Sequence, residues 1–176
     1  MRLPSILAVA LAAAALMGTA AASNSSAETP VALPNSADAT ADSLQIAVAV
    51  ANLDSAWASG DADRWARGYA ADADFINILG MLFPDTNSMR ARHHEIFNGV
   101  FRGSRHEGTI RRMRFPAPDV AIVDVDVAVT GFKALPPGVR PTELGVLRTR
   151  MRHVFQKTDG YWRIVATQNT AIAPKP

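Results

Sequence analysis

The sequence predicts an α+β domain in which helices come first and the long strands of an antiparallel sheet come last. Two observations predict this class. Apolar residues recur at helical spacing between residues 38 and 101, whereas from residue 109 onward they alternate with polar residues. Segments containing Gly, Pro and Asp separate the blocks, as turns do. With 176 residues, the chain is long enough for one such domain with its own core.

Residues 1–22 are typical of a secretory signal peptide. A positive start and a short apolar stretch precede an Ala-Ala-Ala sequence that ends at Ala22, where cleavage is expected. Residues 23–37 are rich in Ser, Ala and Pro and are expected to form a disordered lead-in. The sequence therefore predicts an exported protein, periplasmic or extracellular, with no membrane span and with a folded domain over residues 38–172.

Three helices are expected in the first half of the domain. They are predicted over residues 38–59, over residues 62–69 and from about Thr86 onward, because apolar side chains recur there every three or four residues. Gly60 is a natural end for the first helix, and Asp61 is a natural N-cap for the second.

Alternation of apolar and polar residues predicts the strands. A first strand, residues 74–79, would place Phe75, Asn77 and Leu79 on one face. Longer strands are predicted at 109–115, 120–130, 145–157 and 161–172. In the strand at 145–157, His153 lies on the apolar face. In the strand at 161–172, alternation predicts Trp162 and Ile164 on one face and Thr167 and Asn169 on the other.

Three polar side chains lie on predicted apolar faces and are candidate site residues. Asn77 is interpreted either as a buried amide bonded to the backbone or as a group that orients a ligand. His93, on the apolar stripe of the third helix, and His153 each have two interpretations. Each is either a hydrogen-bonded core histidine or a catalytic acid–base group, since histidine exchanges protons near neutral pH.

The charged residues are interpreted as surface groups. Asp124 and Asp126 alternate with valines, and cross-strand ion pairs with arginines 148, 150 and 152 account for them. A basic run is interpreted as a solvated face, because it lacks interleaved aromatic residues and the formal net charge of the chain is only +2. Its members are Arg102, Arg105, His106, Arg111, Arg112 and Arg114. We therefore expect no nucleic-acid partner.

No cofactor or metal is expected. The chain has no cysteine, which excludes thiolate metal sites and disulfides. No G-x-G-x-x-G motif follows a strand, so nothing indicates a nicotinamide or flavin site. The adjacent pair His93 and His94 lacks the spacing of metal ligands.

Several motifs over residues 42–170 resemble the nuclear transport factor 2-like superfamily, and within it the SnoaL-like group labelled SgcJ/EcaC. The matching residues are Trp57, Gly60, Asp61, Tyr69, Asp72, Ala73, His93, Phe97, and the terminal motif from Asp159-Gly160 through Trp162-Arg163-Ile164-Val165 to Asn169-Thr170. The resemblance implies a curved antiparallel sheet over three helices, a conical pocket between them, and a homodimer formed through the sheet.

The resemblance also implies where a ligand would bind. Candidate ligand contacts are Asn77, Trp57, Phe75, Asp72 and Asn169, beside the candidate catalytic residues His93 and His153. Trp57 and Phe75 are otherwise interpreted as core packing, and Asp72 as a turn or capping group. Ketosteroid isomerases, which share the Gly-Asp break, have their catalytic aspartate at the position of Asn77 and an oxyanion tyrosine at that of Leu53. Neither residue present here can perform the corresponding step, so the usual isomerase chemistry is not expected.

Three functions are therefore open from the sequence. The first is an exported domain that binds a small apolar molecule without catalysis. The second is an enzyme of isomerase, cyclase or oxidoreductase type, acting on a small apolar, ketone-like or polyketide-like molecule by histidine-assisted acid–base chemistry. The third is a dimeric accessory module with a filled interior and no ligand.

Overall fold

The computed structural model describes residues 36–174, and within that range it contains three helices and six strands. The helices are α1 (Ser36–Ser59), α2 (Ala62–Ala66) and α3 (Thr86–Asn98). The strands are β1 (Tyr69–Ile76), β2 (Leu82–Phe83), β3 (Arg105–Ala117), β4 (Val120–Thr130), β5 (Val146–Thr158) and β6 (Tyr161–Ala171). The predicted signal peptide, the lead-in up to residue 35 and the cleavage point at Ala22 lie outside the described residues.

The strands form one sheet in the order β2-β1-β6-β5-β4-β3. Neighbouring strands are antiparallel, except that β1 runs parallel to β6. The predicted α+β class is confirmed, and the sheet is mixed rather than wholly antiparallel. The parallel pair is possible because α3 and four strands separate β1 from β6 along the chain, and parallel pairing requires a long connection.

Aspartates cap the two short helices. The carboxylate of Asp61 accepts a hydrogen bond of 2.8 Å from the backbone N–H of Arg64, and Gly60 before it has a positive φ of 66°. Asp85 caps α3 in the same way, through the N–H of Ser88 at 2.7 Å. The predicted cap and break between α1 and α2 are therefore confirmed.

Apolar side chains from the helices and from one face of the sheet form the core. On β4 every second residue is buried, so the strand shows the predicted alternation. The opposite face carries the predicted cross-strand ion pairs of Arg150 and Arg152, whereas the prediction was wrong for Arg148, which bonds to Glu143 at 2.8 Å. Asp126 accepts hydrogen bonds of 2.7 Å from both Arg111 and Arg150, and Asp124 accepts one of the same length from Arg152.

Two element boundaries near the core differ from the sequence prediction. Helix α2 ends at Ala66 rather than near Tyr69, because the backbone of Tyr69 already pairs with Ile164 of β6. Strand β1 ends at Ile76 rather than at residue 79, so Asn77 lies in the turn that follows and not on a strand face. The hydrogen bonds of the turn that begins at Asn77 end this strand, although the alternating pattern in the sequence continues to residue 79.

Two further differences change which residues face the core. Strand β3 begins at Arg105, four residues before the predicted start, because its first residues are charged and hide the alternation. In β6 the predicted alternation holds for Trp162 and Ile164 and then shifts, so that Thr167 and Asn169 face the same side as those two. An irregularity in the β5–β6 register accounts for the shift, since an extra residue reverses the faces of a strand.

Candidate active site

A small cavity of about 80 Å³ lies between the helices and the inner face of the sheet. Its wall is mainly aromatic and aliphatic, contributed by α1, α3, the β1–β2 turn and strands β3 to β6. The polar side chains on this wall are Asn77, Arg92, His93, His106, Thr149 and Asn169. The volume is small compared with the several hundred Å³ typical of sites for drug-sized ligands. The cavity in this conformation is therefore suited to a small molecule.

The predicted site residues divide between the cavity wall and other places. Five of them line the cavity, namely Trp57, Phe75, Asn77, His93 and Asn169. His153 is buried beyond the wall, and Asp72 is exposed on β1. The structure therefore brings together most of the candidate ligand contacts and only one of the two candidate catalytic histidines.

The side chain of Asn77 stabilises the turn between β1 and β2. Its side-chain oxygen accepts bonds of 2.9 Å from the backbone N–H groups of Leu79 and Met81. These bonds hold the β1–β2 turn, as asparagine side chains commonly do. The oxygen of Asn77 is therefore already used, which leaves the amide N–H₂ group for any contact with a ligand.

His93 is a buried, neutral histidine. Its Nδ1–H donates a hydrogen bond of 2.8 Å to the carbonyl of Met89, and its ring stacks on Trp65 with a centroid distance of 3.5 Å. Burial lowers the pKa of His93 to about 4. At neutral pH, Nε2 carries the lone pair and can accept a hydrogen bond, but such a low pKa makes His93 a weak base.

His153 belongs to the closed interior. Its Nδ1 and the hydroxyl oxygen of Thr167 share a hydrogen bond of 2.7 Å, and only 1% of the residue is exposed. Burial lowers the pKa of His153 to about 3. With no place on the cavity wall and little tendency to accept a proton, His153 has the environment of a core histidine.

A third histidine, His106 on β3, forms a dyad with an aspartate of α1. The Nδ1–H of His106 donates a hydrogen bond of 2.6 Å to Asp54, and the other carboxylate oxygen of Asp54 accepts one of 3.0 Å from the N–H of Gly108. The side chain of His106 is only 5% exposed and lines the cavity. Because Nδ1 is bonded to Asp54, Nε2 is the ring nitrogen left to act on a ligand.

Trp57 fixes the ring of His106 from one side. The two rings are tilted by 31°, with centroids 4.9 Å apart. The indole Nε1–H of Trp57 donates to the hydroxyl of Ser104 at 2.8 Å, and that hydroxyl donates to the carbonyl of Phe101 at 2.7 Å. The orientation of His106 is therefore set by a carboxylate and by a hydrogen-bonded indole, as a catalytic base requires.

The sequence interpretation missed this dyad, and it was wrong in placing His106 on a solvated face. The interpretation grouped His106 with neighbouring arginines, whereas the side chain is buried and alternates inward with Gly108 and Ile110. Asp54 carried a usable signal, because it is a carboxylate between Leu53 and Trp57, which belong to the predicted apolar face of α1. A carboxylate that is partly buried at such a position favours a polar partner.

Two more polar atoms of the cavity wall have no hydrogen-bond partner in the described structure. They are the hydroxyl oxygen of Thr149 on β5 and the side-chain oxygen of Asn169 on β6. Buried polar atoms are nearly always paired, so an unpaired atom on a cavity wall indicates a place for a ligand or an ordered water. Thr149 was not a candidate from the sequence.

Residues 36–174 contain no cluster of three or more His, Asp or Glu side chains arranged to hold a metal ion. Within the same range, no helix has both the length and the apolar character needed to span a membrane.

No protein-family profile and no curated protein sequence matches the chain. Solved structures do match. A domain of unknown function with a cystatin-like fold from Nostoc punctiforme is 25% identical, with a TM-score of 0.63, over 79% of this chain and 80% of its own. A nuclear transport factor 2-like protein of unknown function from Shewanella oneidensis is 15% identical, with a TM-score of 0.60, over 73% and 98%.

An enzyme shares the same fold. A type 2 hexachlorocyclohexane dehydrochlorinase is 15% identical to this chain, with a TM-score of 0.65, over 80% of this chain and 97% of its own. These similarities show that the chain has the cone-shaped nuclear transport factor 2-like fold, also called cystatin-like. Proteins with this fold include both enzymes and domains of unknown function.

Proposed function

We propose that this protein is an enzyme that removes a proton from a carbon atom of a small, largely apolar molecule, with His106 as the base. The observation that carries the proposal is a dyad in which the buried His106, on the wall of an apolar cavity, is hydrogen-bonded to the part-buried Asp54. A histidine held by a carboxylate has a defined tautomer, and its protonated form is stabilised by the adjacent negative charge.

The proposed step needs only side chains of this chain. Nε2 of His106 takes the proton of a substrate C–H bond, and the electron pair of that bond moves to an adjacent carbonyl oxygen or expels a leaving group. The resulting imidazolium lies 2.6 Å from the carboxylate of Asp54. The carboxylate stays in place because the N–H of Gly108 holds its second oxygen.

The fold of a named dehydrochlorinase supports catalysis on a small molecule by this class of structure. The apolar wall supports the apolar substrate expected from the sequence, since it offers few groups to solvate a charged ligand. The unpaired atoms of Thr149 and Asn169 favour a site that takes a ligand over a filled accessory module.

Exchange of hydrogen for deuterium on a small ketone tests the proposal without knowledge of the natural substrate. Cyclopentanone in D₂O would be incubated with the protein, and exchange at the carbons beside its carbonyl would be followed by NMR. We expect the wild type to accelerate exchange over buffer by about 100-fold, which is typical of one positioned base. His106→Asn should return the rate to that of buffer, and Asp54→Asn should lower it at least tenfold.

Two control variants separate the histidines. His93→Gln should retain most of the acceleration, because the low pKa of His93 makes it a poor base. His94→Gln, which changes a half-exposed histidine of α3, should have no effect. Exchange at the buffer rate with the wild type, together with saturable binding of cyclopentanone, would instead favour the non-catalytic binding domain.

We also propose membership of the SnoaL-like group, export and a homodimer formed through the sheet. Export rests on the character of residues 1–22, and mass spectrometry of the secreted protein should find a new N-terminus after Ala22.

The dimer rests on the resemblance of the motifs, and sedimentation of the mature protein should give about twice the mass of one chain. A single-chain mass would remove the dimer from the proposal.

A further inference from the structure

The cavity has a polar end that is separate from the dyad. Thr149 on β5 and Asn169 on β6 both point inward, and the buried oxygen of each lacks a partner. In the β5–β6 register, Asn169 pairs with Met151 and Thr149 pairs with Ala171. The two residues are therefore diagonal neighbours on one face, with backbones roughly 7 Å apart, which is within reach of one bound group.

The chemistry of the two atoms restricts that group. The carbonyl oxygen of Asn169 only accepts hydrogen bonds, so it needs a donor. The hydroxyl of Thr149 can donate, so it suits an acceptor. A single oxygen that accepts from Thr149 and donates to Asn169 is a hydroxyl group, whereas a ketone or ether would leave Asn169 unpaired.

The position of the pair relative to His106 shows which part of a ligand it would hold. His106 pairs with Val129 on β4, Val129 pairs with Leu147 on β5, and Thr149 lies one inward position beyond Leu147. Two strand spacings across the sheet and two residues along it separate the backbones of His106 and Thr149, which amounts to about 12 Å. A group bound at Thr149 therefore lies away from the carbon on which His106 acts.

We propose that Thr149 and Asn169 form a subsite for a hydroxyl group, and that the substrate is a small, largely apolar molecule that carries this anchoring hydroxyl in addition to the carbonyl or leaving group beside the carbon on which His106 acts. The proposal rests on the proposed function for the role of His106. Thr149 and Asn169 are positioning residues, since they hold the molecule while the base acts elsewhere on it. The apolar wall between the two ends binds the carbon skeleton.

Binding of three probes of similar shape tests the subsite. Cyclopentanol, cyclopentanone and chlorocyclopentane would be titrated into ¹⁵N-labelled protein, and dissociation constants would be obtained from amide shifts. We expect cyclopentanol to bind about tenfold more tightly than chlorocyclopentane, the gain from the two hydrogen bonds that it can complete. Thr149→Val and Asn169→Leu should each reduce this preference below about threefold, whereas Thr149→Ser should keep it.

Matched variants make the result interpretable. Thr170→Val, on the opposite face of β6, should leave the preference unchanged. His106→Asn should also retain it while losing proton exchange. A wild type that shows the preference but no proton exchange would reject the proposed reaction and keep the subsite. Equal affinities for all three probes, tighter binding of the ketone, or an unchanged preference in Thr149→Val would overturn the hydroxyl subsite. Equal affinities would mean that a resident water occupies the pair.

Discussion

Two parts of the interior differ in whether their buried polar side chains are hydrogen-bonded. In the closed region, which we define by Asp42, Lys157, Trp162, His153 and Thr167, hydrogen bonds join the polar side chains. Asp42 accepts from the ammonium of Lys157 at 2.7 Å and from the indole N–H of Trp162 at 2.9 Å, and His153 is bonded to Thr167.

The cavity wall differs from the closed region at the atoms that face its empty space. Asp54 and His106 are bonded to each other, but no hydrogen bond engages the hydroxyl of Thr149 or the side-chain oxygen of Asn169. Unpaired buried groups lower the stability of a folded protein, so they persist where they serve binding. The comparison teaches that polar groups in the closed region stabilise the fold, whereas those of the cavity wall remain available to a ligand.

Tyr69 is an exception to this division. Its hydroxyl is buried beside Thr167 without a well-formed hydrogen bond, and it is not part of the cavity wall. Burial raises the pKa of the Tyr69 phenol, so the group stays neutral. Thr167 already shares its hydroxyl with His153, which leaves it poorly placed to serve Tyr69 as well.

Acidification should produce the largest change in stability, through His153 and His93. Burial lowers their pKa values to about 3 and about 4, below the ordinary value near 6.5, so the unfolded chain binds protons first as pH falls. Stability therefore decreases as pH falls below about 6.5, down to about pH 4 for the share of His93 and about pH 3 for that of His153. At pH 5 each histidine should cost about 2 kcal/mol, roughly 4 kcal/mol together.

Urea denaturation at pH 7 and pH 5 measures this loss. His153→Gln should remove about half of the pH dependence, whereas His94→Gln should leave it unchanged because that side chain is half-exposed. Equal stability of the wild type at both pH values would show that these two histidines are not held neutral by burial.

Replacement of Asp42 should have the next largest effect. Asp42→Leu leaves the Lys157 ammonium and the Trp162 N–H without their acceptor, and we expect the free energy of unfolding to fall by about 2–3 kcal/mol. Asp42→Asn keeps an acceptor for Trp162 and should cost less. Urea denaturation of the two variants at pH 7 measures the difference, and a cost below about 0.5 kcal/mol for Asp42→Leu would contradict the role of the pair.

A matched pair of threonine replacements tests the comparison directly. Thr167→Val breaks the bond to His153 and should lower the free energy of unfolding by about 1–2 kcal/mol. Thr149→Val removes a hydroxyl that has no partner and should leave stability unchanged or raise it by up to about 1 kcal/mol. Both residues are 2% exposed, so burial does not distinguish them. Similar losses in thermal or urea denaturation would break the distinction between the two regions.

The outer face of the sheet should show the smallest effect. Asp126 bonds to Arg111 and Arg150, whose side chains are 61% and 56% exposed, and solvent weakens such pairs. Asp126→Asn should therefore change the free energy of unfolding of the single chain by less than about 1 kcal/mol. A larger loss that grows with protein concentration would indicate that this face is an interface between two chains, and sedimentation would measure it.

Elements with strong local patterns could be predicted from the sequence. The alternation in β4 and β5 predicted those strands and their inner faces, because a strand half-buried in a sheet exposes every second residue. The predicted cap Asp61 acts through a bond to a residue three positions away, so its role depends on local sequence. Asp85 caps α3 over the same short distance, but it was not predicted as a cap.

The candidate site could be predicted only in part. Asn169 was a candidate from a motif although its predicted strand face was reversed, since an irregular register cannot be read from alternation. The start of β3 was hidden because Arg105, His106 and Glu107 form a charged run that resembles a solvated loop. The dyad was missed for this reason.

The sequence by itself determined the class of the fold, since helical periodicity gives way to alternation and the turns between elements carry their own chemistry. Only the tertiary structure decided which polar groups meet. Asp54 and His106 are 52 positions apart, and their bond depends on how α1 packs against β3. A pairing over that distance follows from the packing of whole elements, which no local pattern of residues records.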